Sequence, residues 1–418
     1  MLNKKLEEKK VIRDNIHGNI QIEYKIIMDL INTDIFQRLR RIRQLGGTFI
    51  VFPSSEHSRF VHSLGVYALI KKIVEEVDDL KANLSEREKI IVMVAGLLHD
   101  IGHGPLSHAF EEVFHTNHEL MSIKMIQEDT SITRVLESYE KNLSKEVASI
   151  ISKSHPNSLL VQLVSSQLDA DRMDYLLRDA YNCGVSYGNF DLGRVLKSMC
   201  VLDNKIVFKE SGVHAIEDYI FARYHMYWQV YLHPAATAYE IIYAKVMHRF
   251  KQLCEEGYTF NYPVNLLKPL LNKDVSVQDY FKLDDYSIYY FIEQFQYEED
   301  EILSELASCF INRKLFKYLD TNDLDKAKSL VMQCERDPLK QDYYFENREV
   351  SSSFYKYYGH LNTQAIIVKM KDNSLEELYN ASPLVNAIVQ SAKKKTDSKL
   401  YYHRQYLDKM KELSNETS

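Results

Sequence analysis

Apolar and polar residues alternate over 10–22, around Asn15 and His17-Gly18, with the two-residue period of a short hairpin or strand pair. The period then lengthens. Residues 24–32 repeat every three to four positions, as a helix does. Thr33 or Asp34 offers a side-chain oxygen to cap a second helix, whose Phe36, Leu39 and Ile42 share one face. Gly46-Gly47 and Pro53 break GGTFIVFPSSEHS into a loop. Over 58–77 a helical stripe carries Val61, Leu64, Leu69, Ile73 and Val77. Ser85 with Glu88 is a capping box that opens a helix through Ile90, Val94 and Leu97-Leu98. That helix stops at HDIGHGPLSH, where Gly102, Gly104 and Pro105 crowd together. Several helices follow to about Ala180. A short β segment is expected over 201–208 around the turn-like Asp203-Asn204, and long helices return over 213–254.

The character changes after about Glu255. Segment 256–300 is rich in Tyr, Asp and Glu, and 340–360 is again Tyr-rich. Residues 365–370 (AIIVKM) predict a strand and 375–379 a short helix. The stretch KKKTDSK and the final ELSNETS read as solvated surface or fray. The pattern therefore predicts a mainly α protein. A catalytic region over 1–255 contains an all-helical core at about 50–185, and a smaller α+β region occupies 256–418. No internal repeat is visible.

Composition narrows the function classes. Length 418 suits two or three domains, and 45% hydrophobic with 27% charged residues is an ordinary globular balance. Lys+Arg total 52 against 59 Asp+Glu, a net charge of -7, which opposes bulk nucleic-acid binding but not a local basic site. Five dispersed Cys without a C-x-x-C pair fit a reducing cytosol. No apolar run reaches the roughly 18–20 residues of a membrane span, and MLNKKLEEKK is not a secretory signal, so a cytoplasmic location is expected. The 29 Tyr against one Trp suit half-wet cavities and interfaces, or reflect biased usage.

Candidate chemistry concentrates at His99-Asp100-Ile101-Gly102-His103-Gly104-Pro105-Leu106-Ser107-His108. Imidazoles beside a carboxylate at the end of an apolar helix suit a divalent metal such as Mn, Mg, Fe or Zn. His62 and the Asp-rich stretch 169–179 can complete the sphere. Within that stretch Asp171, Tyr175 and Asp179 fall at i, i+4 and i+8, one stripe of a helix with Arg172 beside it.

His62, then His99-Asp100, then a distant Asp171 resembles the H…HD…D signature of the HD-domain metal-dependent phosphohydrolases. The blocks KVIRDNIHG, FQRLRRIRQLGG, SRFVHSLGV, LLHDIGHGPLSHAFE, HE and DADRMDYLLRDA are similar to the deoxynucleoside triphosphate triphosphohydrolase branch, over roughly 10–320. That branch includes a vertebrate enzyme with a sterile-alpha-motif domain in front and shorter bacterial homologues. This chain looks like the bacterial form.

The resemblance implies roles. His62, His99, Asp100 and Asp171 correspond to metal ligands, and Asp169 to a non-ligand. His103, His108 and His118 correspond to histidines around the α-phosphate, with His108 as proton donor to the 5′-oxygen. Glu111, where relatives often have Asp, would orient it. Arg59, Arg172 and Arg223 correspond to residues that hold the triphosphate. Gln44, Leu45, Tyr175 and Asp179 correspond to the sugar pocket. Tyr227, where the vertebrate enzyme has His, and Tyr231 lie near base and phosphates.

The resemblance also implies a regulatory nucleotide bound between subunits by Lys10, Val11, Asn32, Gln37, Arg40 and Arg313, in a homotetramer. Asn32 stands where the guanine-activated enzyme has Asp. The cluster Arg38, Arg40, Arg41, Arg43, read as one helix, would repel itself unless it met phosphates or carboxylates.

Physical chemistry supports the assignment of substrate. A triphosphate carries about four negative charges that repel an attacking water, and a metal ion with arginines offsets them. The expected activity is hydrolysis of dNTPs to deoxynucleoside and inorganic triphosphate. The alternatives are an HD phosphohydrolase acting on a cyclic nucleotide or a nucleoside monophosphate, and a non-catalytic nucleotide-sensing module.

Overall fold

The computed structural model describes every residue except 129, 273, 322, 351–353, 359–363, 394–396 and 417–418. The chain opens with the expected hairpin, strands Lys5–Asp14 and Gly18–Tyr24 in antiparallel register. Its inward-facing Ile20 and Ile22 are buried on the helical core. Helix Lys25–Ile31 follows directly, and the Thr33 hydroxyl caps the next helix by accepting the Phe36 N–H.

That second helix, Asp34–Arg38, is shorter than the pattern predicts. The backbone tightens into a 3₁₀ turn over Leu39–Arg41 and is extended at Ile42. Phe36, Leu39 and Ile42 are nevertheless all fully buried. Arg38 also turns inward, donating to the carbonyls of Leu283 (2.8 Å) and His103 (2.9 Å). Arg41 pairs with Asp284, and Arg43 with Asp285 and Glu56. The arginines thus do not share one helix, and three of the four are satisfied within the chain. Arg40 is exposed, its guanidinium 3.5 Å from the Phe60 ring centroid.

Helices Arg59–Glu76 and Glu86–Leu98 pack on each other and form the centre of the core, with Ala170–Cys183 against the first of them. Both halves of the Ser85–Glu88 capping box are made. Every residue from Lys89 to Leu98 is buried, as befits a helix enclosed on all sides. The β segment near 201–208 is a hairpin of Met199–Leu202 and Lys205–Lys209. Asp203 and Asn204 both have positive φ, the backbone a two-residue turn of this kind requires. Helix Val213–Met226 runs into a π-helical turn, Tyr227–Tyr231, before Pro234–Glu255.

The C-terminal region is woven into this core. Strand Ile367–Lys369 pairs in parallel with Lys205–Lys209, completing a four-stranded sheet begun far earlier in the chain. Residues 375–379 correct the expectation of a short helix: Leu375–Glu377 is that sheet's last strand, and the helix starts only at Leu378. The turn at Asn373, with positive φ, folds the segment back into pairing.

Part of KKKTDSK lies outside the described residues, but Asp397–Tyr402 is the middle strand of a three-stranded sheet, not fray. Leu400, Tyr401 and Tyr402 are buried there, while the Lys399 stem leads its amine out to Asp320 at 2.6 Å. Most of ELSNETS continues helix Leu407–Glu416, and its last two residues lie outside the described set.

The mainly α class holds, with small sheets chiefly in the C-terminal part. All five cysteines are free thiols. No helix among the described residues is long and apolar enough to cross a membrane.

Candidate active site

His99 ends helix Glu86–Leu98. Its Nδ1 is 2.8 Å from the Gly96 carbonyl, which assigns the proton to Nδ1 and leaves Nε2 bare. That Nε2 is buried without a hydrogen-bond partner among the described residues, 3.3 Å from Asp100 and 3.5 Å from Asp171. His62, one turn into helix Arg59–Glu76, is arranged in the same way. Its Nδ1 is 2.8 Å from Asp174, and its Nε2 faces Asp171 at 3.1 Å and Asp100 at 3.7 Å.

Two imidazole lone pairs and two carboxylates thus converge on one point, and they repel unless positive charge sits between them. Protons alone can supply it. Burial lowers the His62 pKa, but the Asp171 and Asp174 hydrogen bonds raise it overall to about 10. His99 is also raised, since Asp100 and Asp171 outweigh its burial. A divalent cation satisfies these groups at once: His62, His99 and Asp100 each offer a ligand atom within 4.8 Å of the others, a set that could hold a metal ion, and Asp171 faces both histidines beside them.

Behind the ligands lies a buried network that the sequence reading missed. Asp174 accepts from His62, from His17 (2.6 Å) and from the Arg178 guanidinium (2.9 Å to each oxygen). Arg178 reaches on to Asp14 at 2.8 Å, so the turn of the first hairpin helps orient a metal-facing histidine. Gly65 makes the approach possible, since a Cβ there would stand 2.0 Å from an Asp174 oxygen. The available signal was a second stripe: Asp174 and Arg178 repeat the i, i+4 spacing of Asp171 and Tyr175, three residues on.

The loop after Asp100 supplies a histidine wall. It is fastened from outside by Tyr280, whose hydroxyl donates to the Gly102 carbonyl (2.8 Å), and by Asp285, which accepts the Leu106 N–H (3.0 Å). Leu106 and Ser107 both have positive φ, a strained turn for residues with side chains, and it delivers His108 to the surface with its side chain 75% exposed. His103 stacks on His118 with ring centroids 3.9 Å apart. Glu111 joins the wall, accepting from His108 Nδ1 (3.0 Å) and His118 Nδ1 (2.8 Å). Burial would raise the Glu111 pKa, but these histidines hold it well below the usual carboxylate range. Burial and the Arg59 charge push His103 well below its ordinary value, so it is neutral.

Beside these groups lies a cavity of about 460 Å³, which His62, His99 and Glu111 do not themselves line. Asp100 and Asp171 face it beside His103, His108 and His118. Arg59, Arg172, Gln44, Leu45, Tyr175, Asp179, Tyr227 and Tyr231 complete the walls. The stripe Asp171, Tyr175, Asp179 therefore faces the cavity, not bulk solvent. Arg59 is held by Asp100 and Ser107, and Arg172 by Asp169, which caps its helix. Tyr231 donates to Asp179 at 2.8 Å. The Gln44 side-chain oxygen is buried with no hydrogen-bond partner among the described residues. Arg223 is buried beside Tyr219 and is not part of the lining. Glu119 and Glu240, which the sequence reading did not single out, are part of it.

Residues 59–179 match the HD domain family and residues 190–259 the HD associated region. A solved phosphohydrolase of Bacteroides thetaiotaomicron shares the fold with a TM-score of 0.83 and 30% identity, over 95% of this chain and 100% of that one. The uncharacterized protein YwfO of Bacillus subtilis is 42% identical over 96% of this chain and 93% of its own. The chain belongs to the HD-domain phosphohydrolases. A further relative, the Dictyostelium discoideum homologue of deoxynucleoside triphosphate triphosphohydrolase SAMHD1, is 29% identical over 87% of this chain and 74% of its own.

The regulatory candidates of this HD phosphohydrolase are spread more widely. Lys10 and Val11 lie on the first hairpin, and Asn32 ends the first helix. Gln37 and Arg40 meet at 2.8 Å. Arg313 donates to the Ile50 carbonyl at 3.1 Å. Arg40 lines a second cavity of about 660 Å³ together with Arg13, Asp14, Asn15, Glu56 and His57, and the other candidates are not in its lining.

Proposed function

We propose that this HD phosphohydrolase cleaves dNTPs at the α-phosphate, releasing deoxynucleoside and inorganic triphosphate. The observation that carries the reading is the single cavity in which metal-facing ligands, a histidine wall, two arginines and a Tyr–Asp pocket converge. The relatives named as deoxynucleoside triphosphate triphosphohydrolases support it. A divalent metal on His62, His99, Asp100 and Asp171, whether Mn, Mg, Fe or Zn, supplies an acidified water and charge neutralisation when bound.

The chain's own groups do the remainder. Arg59 and Arg172 exchange internal partners for phosphate oxygens, which suit the guanidinium fork, and Arg223 adds positive charge from behind the wall. His103 and His118 donate to the α-phosphate. Glu111 fixes the His108 ring through Nδ1, leaving Nε2 to deliver a proton to the departing 5′-oxygen. Asp179 accepts the 3′-hydroxyl, Gln44 offers its unpaired oxygen, and Leu45 and Tyr175 leave no room for a 2′-hydroxyl. Tyr227 and Tyr231 enclose the base side.

Incubation with dGTP and Mn or Mg is expected to release triphosphate and deoxyguanosine together, with GTP left uncut. Chromatography distinguishes the outcomes. Pyrophosphate with dGMP, or phosphate with dGDP, overturns the cleavage site, and equal turnover of GTP overturns the sugar gate.

The reading extends to control. An activating nucleotide bound by Lys10, Val11, Asn32, Gln37, Arg40 and Arg313 joins subunits of a homotetramer, with residues 256–418 serving assembly and regulation. The exposure of five of the six residues, Lys10, Val11, Asn32, Arg40 and Arg313, supports this. Asn32 has both a donor and an acceptor, so the activator need not be a guanine nucleotide. Arg40→Ala is expected to abolish stimulation by added NTPs and dNTPs while metal content stays unchanged. Rates with each effector, beside light scattering for mass, test it. A monomer with full activity and no effector response defeats it.

A further inference from the structure

His57 lies outside the substrate cavity, yet it grips two residues of its wall. The side chain is 5% exposed, and its Nε2 stands 2.9 Å from Asp179 Oδ1. Its backbone carbonyl accepts the Gln44 N–H at 2.9 Å. The second carboxylate oxygen of Asp179 accepts the Tyr231 hydroxyl at 2.8 Å. Nδ1 of His57 is buried and has no hydrogen-bond partner among the described residues, so Asp179 is what orients the ring there. His57 is also among the residues lining the second cavity, with Arg13, Asp14 and Arg40.

A carboxylate has about four acceptor positions. Two donors from the protein fix the plane of Asp179 and leave positions open toward the substrate cavity. A buried acceptor oriented in advance discriminates sharply, because a substrate lacking the matching hydroxyl leaves it unpaired.

We propose that His57 is a positioning residue for sugar recognition, holding the Asp179 carboxylate, together with Tyr231, in the orientation that accepts the 3′-hydroxyl of a deoxynucleotide. The inference rests on the dNTP reading above and adds a residue that acts only through Asp179.

The test compares kcat and KM for dGTP and for 2′,3′-dideoxy-GTP in wild type, His57→Ala, His57→Phe and His57→Gln, with metal content measured for each. Alanine and phenylalanine remove the donor, and phenylalanine keeps the ring volume should alanine not fold. Glutamine retains an N–H. In the donor-less variants KM for dGTP is expected to rise about tenfold, the scale of one hydrogen bond to a charged group. The kcat changes less and the dideoxy substrate is unaffected, so the preference for dGTP shrinks. Glutamine restores part of it. Equal losses on both substrates, or an unchanged preference, overturn the positioning role while wild-type dGTP cleavage leaves the dNTP reading standing. A wild type that leaves dGTP uncut overturns both.

Discussion

His62→Ala is expected to lose its bound metal and its triphosphate release together while keeping its helical content. In the proposed site the histidine is one of four ligands, and its Nε2 faces the carboxylates of Asp100 and Asp171. Changes to residues that merely support metal ligands cost about 10–100-fold in metal affinity, so loss of a ligand exceeds the upper figure. The fold survives because nearly all the buried apolar side chains belong to one large core running from Leu2 to Met410, with a small second cluster at Cys200, Val207, Ala365 and Ile367. Asp171→Ala should behave alike. Metal analysis, circular dichroism and product assays decide the matter, and full metal occupancy in either variant removes that residue from the sphere.

Arg178→Leu has the largest expected effect on stability. The side chain is fully buried and pairs with Asp174 and Asp14, both nearly or wholly enclosed. Removing one partner of a buried ion pair typically costs about 3–5 kcal/mol, because the remaining charge is left uncompensated. The effect depends on pH. Burial works to raise the Asp174 pKa, but the Arg178 charge, helped by His17 and His62, holds it well below the usual value. Asp14 is lowered too, Arg178 outweighing its burial. Both carboxylates therefore contribute stability that is complete above the unfolded-state pKa of about 4 and is lost as pH falls toward their folded values. The gap between wild type and variant should be widest near neutrality and narrow below about pH 4. Guanidinium denaturation at several pH values measures it, and a difference under about 1 kcal/mol at pH 7 would sink the argument.

Much of the catalytic half was legible because its signals are local. The Ser85–Glu88 box, the glycines after His99-Asp100 and the i, i+4, i+8 stripe each depend on a few consecutive residues. Where partners are remote, the sequence was silent. Nothing near Arg38 announces that its guanidinium meets the carbonyls of Leu283 and His103, so a buried fastener looked like part of an exposed basic cluster. The stretch KKKTDSK reads as solvated because it is charged and polar throughout. The strand that its last residues open, Asp397–Tyr402, comes from pairing with strands Lys317–Asp320 and Phe345–Val350, which no local period encodes. Asp174 escaped notice for a related reason: its partner His17, and Asp14 beyond Arg178, lie near the start of the chain, far from it in sequence.

The π-helical turn at Tyr227–Tyr231 has a consequence for how such cavities change. Its closing bond, from the Leu232 N–H to the Tyr227 carbonyl, spans five residues and adds one position to the end of helix Val213–Met226. One residue corresponds to about 100° of rotation, so the last side chains are aimed about 100° away from where a plain α-helix would put them, before the chain turns extended at His233 and enters Pro234–Glu255. Arg223 keeps the plain phase and Tyr231 takes the shifted one. A one-residue change of length in this segment would re-aim the tyrosine that meets Asp179 while leaving every neighbouring side chain type untouched. Divergence of cavity shape among relatives is then open to single insertions and deletions here, a route that comparison of residue types at fixed positions does not reveal.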